Sequence, residues 1–277
     1  LDANENPYGG NGVNRYPGPE VAKLYGLMAN LYGVEREQLL VTPGSDEAIA
    51  LLVRAFCEPG KHRIAVCPPT FGMYALSAKV NGVDSLSVPL INKWEVDWAG
   101  LKSAFEANAD LRMVFLCTPQ NPASTSIKTD EIKAFASQFS DHLIIVDEAY
   151  QEFNDQPSMC QALADFPNVV VMRTMSKAFG IAGARIGAMI ADPRICNICS
   201  AMMTPYAIPS TSAQAALDAL TPAGLAQSKA QIAELLTERA RLQEALEAHP
   251  DVIKIYPSAA NFLMVVMKDA AALQERL

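Results

Sequence analysis

A lysine in a small-residue, glycine-rich setting is the first place in this chain where chemistry is legible. Arg173-Thr174-Met175-Ser176-Lys177 runs into Ala178-Phe179-Gly180-Ile181-Ala182-Gly183-Ala184-Arg185-Ile186-Gly187. The apolar run Val169–Thr174 reads as a buried strand, which sets Lys177 just past its end. Desolvation there would lower the pKa of the amine and free it for carbonyl chemistry. Arg185, eight residues on, offers a planar fork suited to phosphate. A solvated loop lysine with a structural arginine would show the same residues.

A carboxylate ends another apolar run, Leu143-Ile144-Ile145-Val146-Asp147, before Glu148-Ala149-Tyr150. A buried carboxylate without a cationic partner is costly, and a protonated ring nitrogen would supply that partner. Asp147 could equally cap the next segment. Glu148 points the other way if the strand continues. A third run, Val41-Thr42-Pro43-Gly44-Ser45-Asp46-Glu47, reads as strand, glycine turn and helix start. Free N–H groups at such a start bind phosphate, although Ser45 and Asp46 are also ordinary N-cap residues. Neither common nucleotide-binding glycine motif is present.

Cys117-Thr118-Pro119-Gln120-Asn121-Pro122 brings the amide of Asn121 to the end of the Met113–Cys117 run. Pro68-Pro69-Thr70-Phe71 brings an aromatic face to the end of Ile64–Cys67. Each alone reads as a turn. Together these run ends carry a phosphate cradle, an aromatic plate, an amide, a carboxylate and a lysine. That is an inventory for holding a phosphorylated pyridine aldehyde.

The elements that must position them follow an α/β rhythm. Leu39–Thr42, Ile64–Cys67, Ser85–Val88, Met113–Cys117, Leu143–Asp147 and Val169–Thr174 alternate with helix-like stretches. Several of these runs lack polar alternation, as strands buried on both faces do. The pattern predicts an α/β fold with a mostly parallel central sheet flanked by helices, binding ligands at the carboxyl ends of its strands. Residues 1–30 read as an N-terminal arm, 31–205 as a large domain and 206–277 as a smaller α/β C-terminal domain. In the last of these, helices are expected over Ser210–Leu220 and Ser228–His249, the second long and amphipathic. A strand follows over Asn261–Met267, then a helix from Asp269. That helix reaches Leu277 without a capping residue, so the small domain is expected to continue beyond it.

Composition narrows the partners. With 22 Lys+Arg against 30 Asp+Glu, the net charge of −8 argues against a nucleic-acid or anionic-membrane binder. No apolar run approaches the ~20 residues of a membrane span, and no secretory signal is legible in the opening residues. The six cysteines are scattered through apolar stretches, as buried thiols of a reducing, cytoplasmic compartment would be. Cys196-Asn197-Ile198-Cys199 lacks a second pair or nearby histidines and is expected to place two thiols in a helix core. No metal site is expected.

In order along the chain, these residues resemble the fold-type I pyridoxal-phosphate aminotransferases. Within them the chain is similar to the histidinol-phosphate aminotransferases. The resemblance rests on Leu1-Asp2-Ala3-Asn4-Glu5-Asn6-Pro7, Asn14-Arg15-Tyr16-Pro17, Gly44-Ser45-Asp46-Glu47, Pro68-Pro69-Thr70-Phe71-Gly72-Met73-Tyr74, Asn121-Pro122, Asp147-Glu148-Ala149-Tyr150, Ser176-Lys177-Ala178-Phe179 and Asn261-Phe262. It implies pyridoxal 5'-phosphate as cofactor and amino transfer between L-histidinol phosphate and 2-oxoglutarate, in histidine biosynthesis. The same cofactor residues would serve another aminotransferase, aromatic or broad-range, or a threonine-phosphate decarboxylase. A binding or regulatory module on the same fold is the non-enzymatic alternative.

The resemblance also assigns roles. Lys177 would hold the cofactor covalently and shuttle the substrate proton, Asp147 would pair with the ring nitrogen, and Asn121 and Tyr150 would bond to the ring oxygen. Phe71 would stack on the ring, and Ser45, Asp46, Ser176 and Arg185 would bind the phosphate. Tyr16 would reach the phosphate of a neighbouring subunit, which implies a homodimer. Gln120, Ala123 and Ser124 depart from the usual loop around Asn121, and Phe71 is often Tyr. The family's substrate-binding arginines would fall beyond Leu277.

Overall fold

Each of the unalternated apolar runs forms a strand. The computed structural model describes residues 3–9, 12–92 and 94–276; Leu1 and Asp2 of the opening motif, and Leu277, lie outside them. In chain order come α1 (Pro19–Tyr32), β1 (Leu39–Thr42), α2 (Ser45–Phe56), β2 (Arg63–Val66), α3 (Met73–Val80), β3 (Asp84–Ser87), α4 (Trp98–Ala107), β4 (Leu111–Cys117), α5 (Thr129–Gln138), β5 (Leu143–Asp147), β6 (Val169–Thr174) and β7 (Gly187–Ile190). Every residue of β1, β6 and β7 is buried, as expected where both faces of a sheet are covered. The edge strand β3 is mostly exposed.

Among the described residues these strands make one seven-stranded sheet in the order β1-β7-β6-β5-β4-β2-β3. From β3 to β6 the pairing is parallel. β7 runs antiparallel to both β6 and β1, which leaves β1 pointing the same way as the others. The carboxyl ends of β1, β4, β5 and β6 therefore share one edge. β7 adds a strand to the expected set: Gly187-Ala188-Met189-Ile190 follows the lysine loop with no intervening α-helix, so no change of period announces it.

Residues 19–30, read above as arm, belong to α1. Pro19 suits a first helical turn, Gly33 ends the helix in the left-handed region (φ 65°), and Leu24 and Met28 are wholly buried. The stretch without helix or strand ends at residue 18 among the described residues. α7 (Ser210–Ala219) lies on α1 and buries Ala213, Ala216 and Leu217.

α6 (Pro193–Met202) carries Cys196 and Cys199, both free and buried, each thiol pushed up to about 12 by burial. They are core groups. α8 (Pro222–Glu247) begins ahead of the expected Ser228, because Thr221 accepts the N–H of Gly224 and caps it. It is less amphipathic than expected: Ser228 is its only buried residue, with Ile232 and Leu236 half-buried against the core. The expected Asn261–Met267 strand shortens to β9 (Val265–Met267), paired antiparallel with an unanticipated β8 (Val252–Ile255). α9 (Ala270–Gln274) starts at an Asp269 cap. No described helix is long and apolar enough to cross a membrane.

Candidate active site

The turn from β1 into α2 builds one end of the site. Gly44 (φ 80°) is the N-cap of α2, and no side chain caps the helix. Ser45 and Asp46 are thus first-turn residues and not caps, and the N–H groups of that turn are left for another acceptor. The Arg185 guanidinium lies over this turn and donates to Asp46 Oδ2 at 2.9 Å. Gly187 is what lets β7 pass so close. A Cβ there would sit 2.5 Å from Gly44 C and from Ser45 N.

Asp147, the last residue of β5, supplies the floor. It is 3% exposed. Its Oδ2 accepts the Tyr74 hydroxyl at 2.6 Å and its Oδ1 accepts the Ala149 N–H at 3.1 Å. Among the described residues no cation pairs with it. Burial lifts its carboxyl to about 6, against the lowering effect of those two hydrogen bonds. Glu148 does face the other way, as strand alternation predicts. It bonds to Arg173 Nη1 at 3.0 Å and accepts the Ser158 hydroxyl at 2.6 Å and the Met159 N–H at 2.7 Å.

One cleft is lined by Ser45, Asp46, Phe71, Cys117, Asn121, Asp147, Ala149, Tyr150, Thr174, Ser176, Lys177 and Arg185. Every site residue expected of this chain's own cleft is there. Lys177 Nζ lies 5.5 Å from the centroid of the Tyr150 ring, and that ring packs edge-on against Phe262 at 5.1 Å. The expected desolvation of Lys177 is not found. Three residues beyond the end of β6 its side chain is exposed.

Tyr16 is apart from this cleft. It is 54% exposed and stacks on Tyr206 at 4.4 Å between ring centroids. Glu5 anchors it by accepting its N–H at 2.6 Å and by pairing with Arg15 at 2.9 Å. The unusual loop is folded inward: Gln120, Ala123 and Ser124 are all buried, and Ser124 adopts φ 57°. The Ser124 carbonyl accepts the Ala259 N–H at 2.8 Å, which ties the loop to the C-terminal segment.

Three contributors escaped the sequence reading: Tyr74, Cys117 and Thr174. Cys117 and Thr174 end the apolar runs of β4 and β6 and could have been found as strand ends. Tyr74 gave no local signal, because its partner Asp147 lies on a different strand.

The cleft thus offers helix N–H groups and a guanidinium to an anion such as phosphate. It also offers a buried carboxylate, an aromatic wall in Phe71 and an accessible amine. The class I and II aminotransferase family profile matches residues 3–277. The chain is 40% identical over 285 aligned residues to histidinol-phosphate aminotransferase 2 of Idiomarina loihiensis, covering 100% of this chain and 80% of that protein. It is 42% identical to the histidinol-phosphate aminotransferase of Stenotrophomonas maltophilia, over 98% of this chain and 77% of that one. Among solved structures, histidinol-phosphate aminotransferase from Sinorhizobium meliloti in complex with pyridoxal-5'-phosphate superposes with a TM-score of 0.85. It is 25% identical and covers 99% of this chain and 76% of that one. On this fold, this cleft and these relatives, the chain belongs to the class I and II aminotransferases.

Proposed function

We propose that this chain transfers the amino group of L-histidinol phosphate to 2-oxoglutarate, giving imidazole-acetol phosphate and L-glutamate, with pyridoxal 5'-phosphate held in the cleft. The observation that carries the cofactor is Asp147, a buried carboxylate facing the cleft and paired with no cation among the described residues. A protonated ring nitrogen would complete it. The substrate is carried by the relatives at 40% and 42% identity, both of which bear this activity in their names.

When bound, pyridoxal 5'-phosphate supplies an aldehyde that takes up amino groups and a protonated ring that withdraws electrons from the substrate α-carbon. The residues divide the remaining work. The first-turn N–H groups of α2 at Ser45 and Asp46, with Ser176 and Arg185, would bind its phosphate. Phe71 would stack on the ring, and Asn121 and Tyr150 would hydrogen-bond to the ring oxygen. Asp147 would accept the ring N–H and favour its protonated form. Lys177 would hold the resting cofactor through its amine and, once the substrate's amino group has displaced it, would be the free base that moves the α-proton.

We further read the protein as a cytoplasmic homodimer in which Tyr16 reaches the phosphate held by the other copy. Its exposure outside its own cleft supports that reading, as do six cysteines that are all free and buried. The test is an assay of glutamate formation from L-histidinol phosphate and 2-oxoglutarate, with borohydride fixation and peptide mapping. Label on Lys177, and loss of turnover in Lys177→Ala, are expected. Label elsewhere, or equal turnover of aromatic amino acids, would overturn the assignment.

A further inference from the structure

Tyr74 is the second residue of α3 and is wholly buried. Its ring stacks on Phe115 of β4 at 4.8 Å with the planes 12° apart, and meets Phe71 edge-on at 5.7 Å. Its hydroxyl donates to Asp147 Oδ2 at 2.6 Å. Burial holds the phenol well above its ordinary range, so it remains an O–H donor. The other groups facing Asp147 cannot replace it. The Cys117 thiol is pushed up to about 12 by burial and is neutral, and Asp46, with Glu148 acting from the opposite side of the sheet edge, is acidic and opposes a second negative charge. Among the described residues the Ala149 N–H, on the other oxygen, is the remaining donor.

We propose that Tyr74 is a positioning residue for transamination: its hydroxyl keeps Asp147 ionised and fixes the carboxylate so that it faces the cofactor's ring nitrogen. The edge contact to Phe71 lets the same side chain brace the stacking wall. The inference rests on the pyridoxal-phosphate reading of the cleft. A hydrogen bond to an ionised group contributes enough that its loss should lower turnover roughly ten- to a hundred-fold.

The experiment uses holoenzyme carrying cofactor labelled with 15N in the ring, as wild type, Tyr74→Phe, Asp147→Asn and the double variant. Tyr74→Phe keeps the ring and its stacking. It should retain cofactor on Lys177 and a near-wild-type Tm, lose about ten-fold or more in kcat with little change in KM, and move the ring 15N resonance towards the unprotonated form. In the Asp147→Asn background the same change should add less than about two-fold, because the two residues act as one unit. A wild-type kcat and 15N resonance in Tyr74→Phe would overturn the proposal. So would an equal loss in both backgrounds, which would mark Tyr74 as packing alone. If Tyr74→Phe does not fold, the wild-type holoenzyme decides: a downfield hydroxyl proton that Asp147→Asn removes supports the bond, and its absence overturns it. Wild type that takes up no pyridoxal phosphate on Lys177 brings down the functional reading and this inference together. Wild type that does, beside an unaltered Tyr74→Phe, brings down this inference alone.

Discussion

Asp147 and Glu148 are adjacent in sequence and both buried, yet Glu148 bonds to the Arg173 guanidinium at 3.0 Å while Asp147, among the described residues, bonds only to a phenol and an amide N–H. Strand alternation sends them to opposite sides of the sheet edge. One carboxylate is consumed by structure and the other is left facing the cleft. The two should therefore respond to substitution in opposite ways.

The Asp147 carboxyl has a folded-state pKa of about 6 against 3.8 in the unfolded chain. The folded state binds that proton more tightly, so the residue's contribution to stability is full below about pH 4 and is lost as pH rises through 6. Asp147→Asn removes this dependence. In the absence of cofactor, its stability relative to wild type should rise by about 2–3 kcal/mol between pH 4 and pH 7.5. Urea unfolding at the two pH values measures this. A difference that does not change with pH would mean that the carboxyl's burial is not felt.

Arg173 lies between Glu148 and Glu152, at 3.0 and 2.5 Å, with the Tyr32 ring 4.9 Å from its guanidinium. Burial works against its charge, but Glu152 and Glu148 outweigh that and hold it protonated. Arg173→Met would leave buried carboxylates unpaired and should destabilise the protein by about 3–5 kcal/mol. Adding Glu148→Gln should restore part of the loss. Denaturant midpoints of the two variants check this, and no recovery in the pair would mean that Glu148 is not the group being neutralised.

Where the fold was legible, the reason was burial on two faces. Runs such as Leu143–Val146 contain no polar residue, so their strands, and the cleft residues just past their ends, could be read directly. β7 escaped because it pairs antiparallel straight out of the Lys177 loop, with no α-helix to mark it. The exposure of Lys177 escaped because small neighbours such as Ala178 and Gly180 resemble a buried setting in sequence while the loop beyond β6 opens to solvent. Tyr74 and Arg173 escaped for a common reason: each acts through a group distant in sequence, and only the sheet order brings them together.

Gly187 should be irreplaceable for geometric reasons. A Cβ there would lie 2.5 Å from two backbone atoms, Gly44 C and Ser45 N, which cannot rotate away. Gly187→Ala should destabilise by about 1–3 kcal/mol and shift the first turn of α2. Pyridoxal-phosphate affinity should then fall by more than kcat at saturating cofactor. Gly183, whose Cβ would meet nothing within 4 Å, is the control; its Ala variant should stay within about 0.5 kcal/mol of wild type. Equal effects at the two positions would contradict the close approach.

Tyr16 allows a test of whether two copies share their sites. Its ring is 54% exposed and stacked on Tyr206, outside the cleft that holds Lys177. If it serves the other copy, Tyr16→Ala and Lys177→Ala chains should complement each other. In a hybrid dimer, the cleft of the Tyr16→Ala chain keeps its own Lys177 and receives Tyr16 from the Lys177→Ala chain, so one site is intact. The other site lacks both groups. Refolding the two variants together in equal amounts makes half the dimers hybrid, and activity should recover to about a quarter of wild type. If Tyr16 instead folds back onto its own cleft, every site in every hybrid lacks one group, and mixing restores nothing.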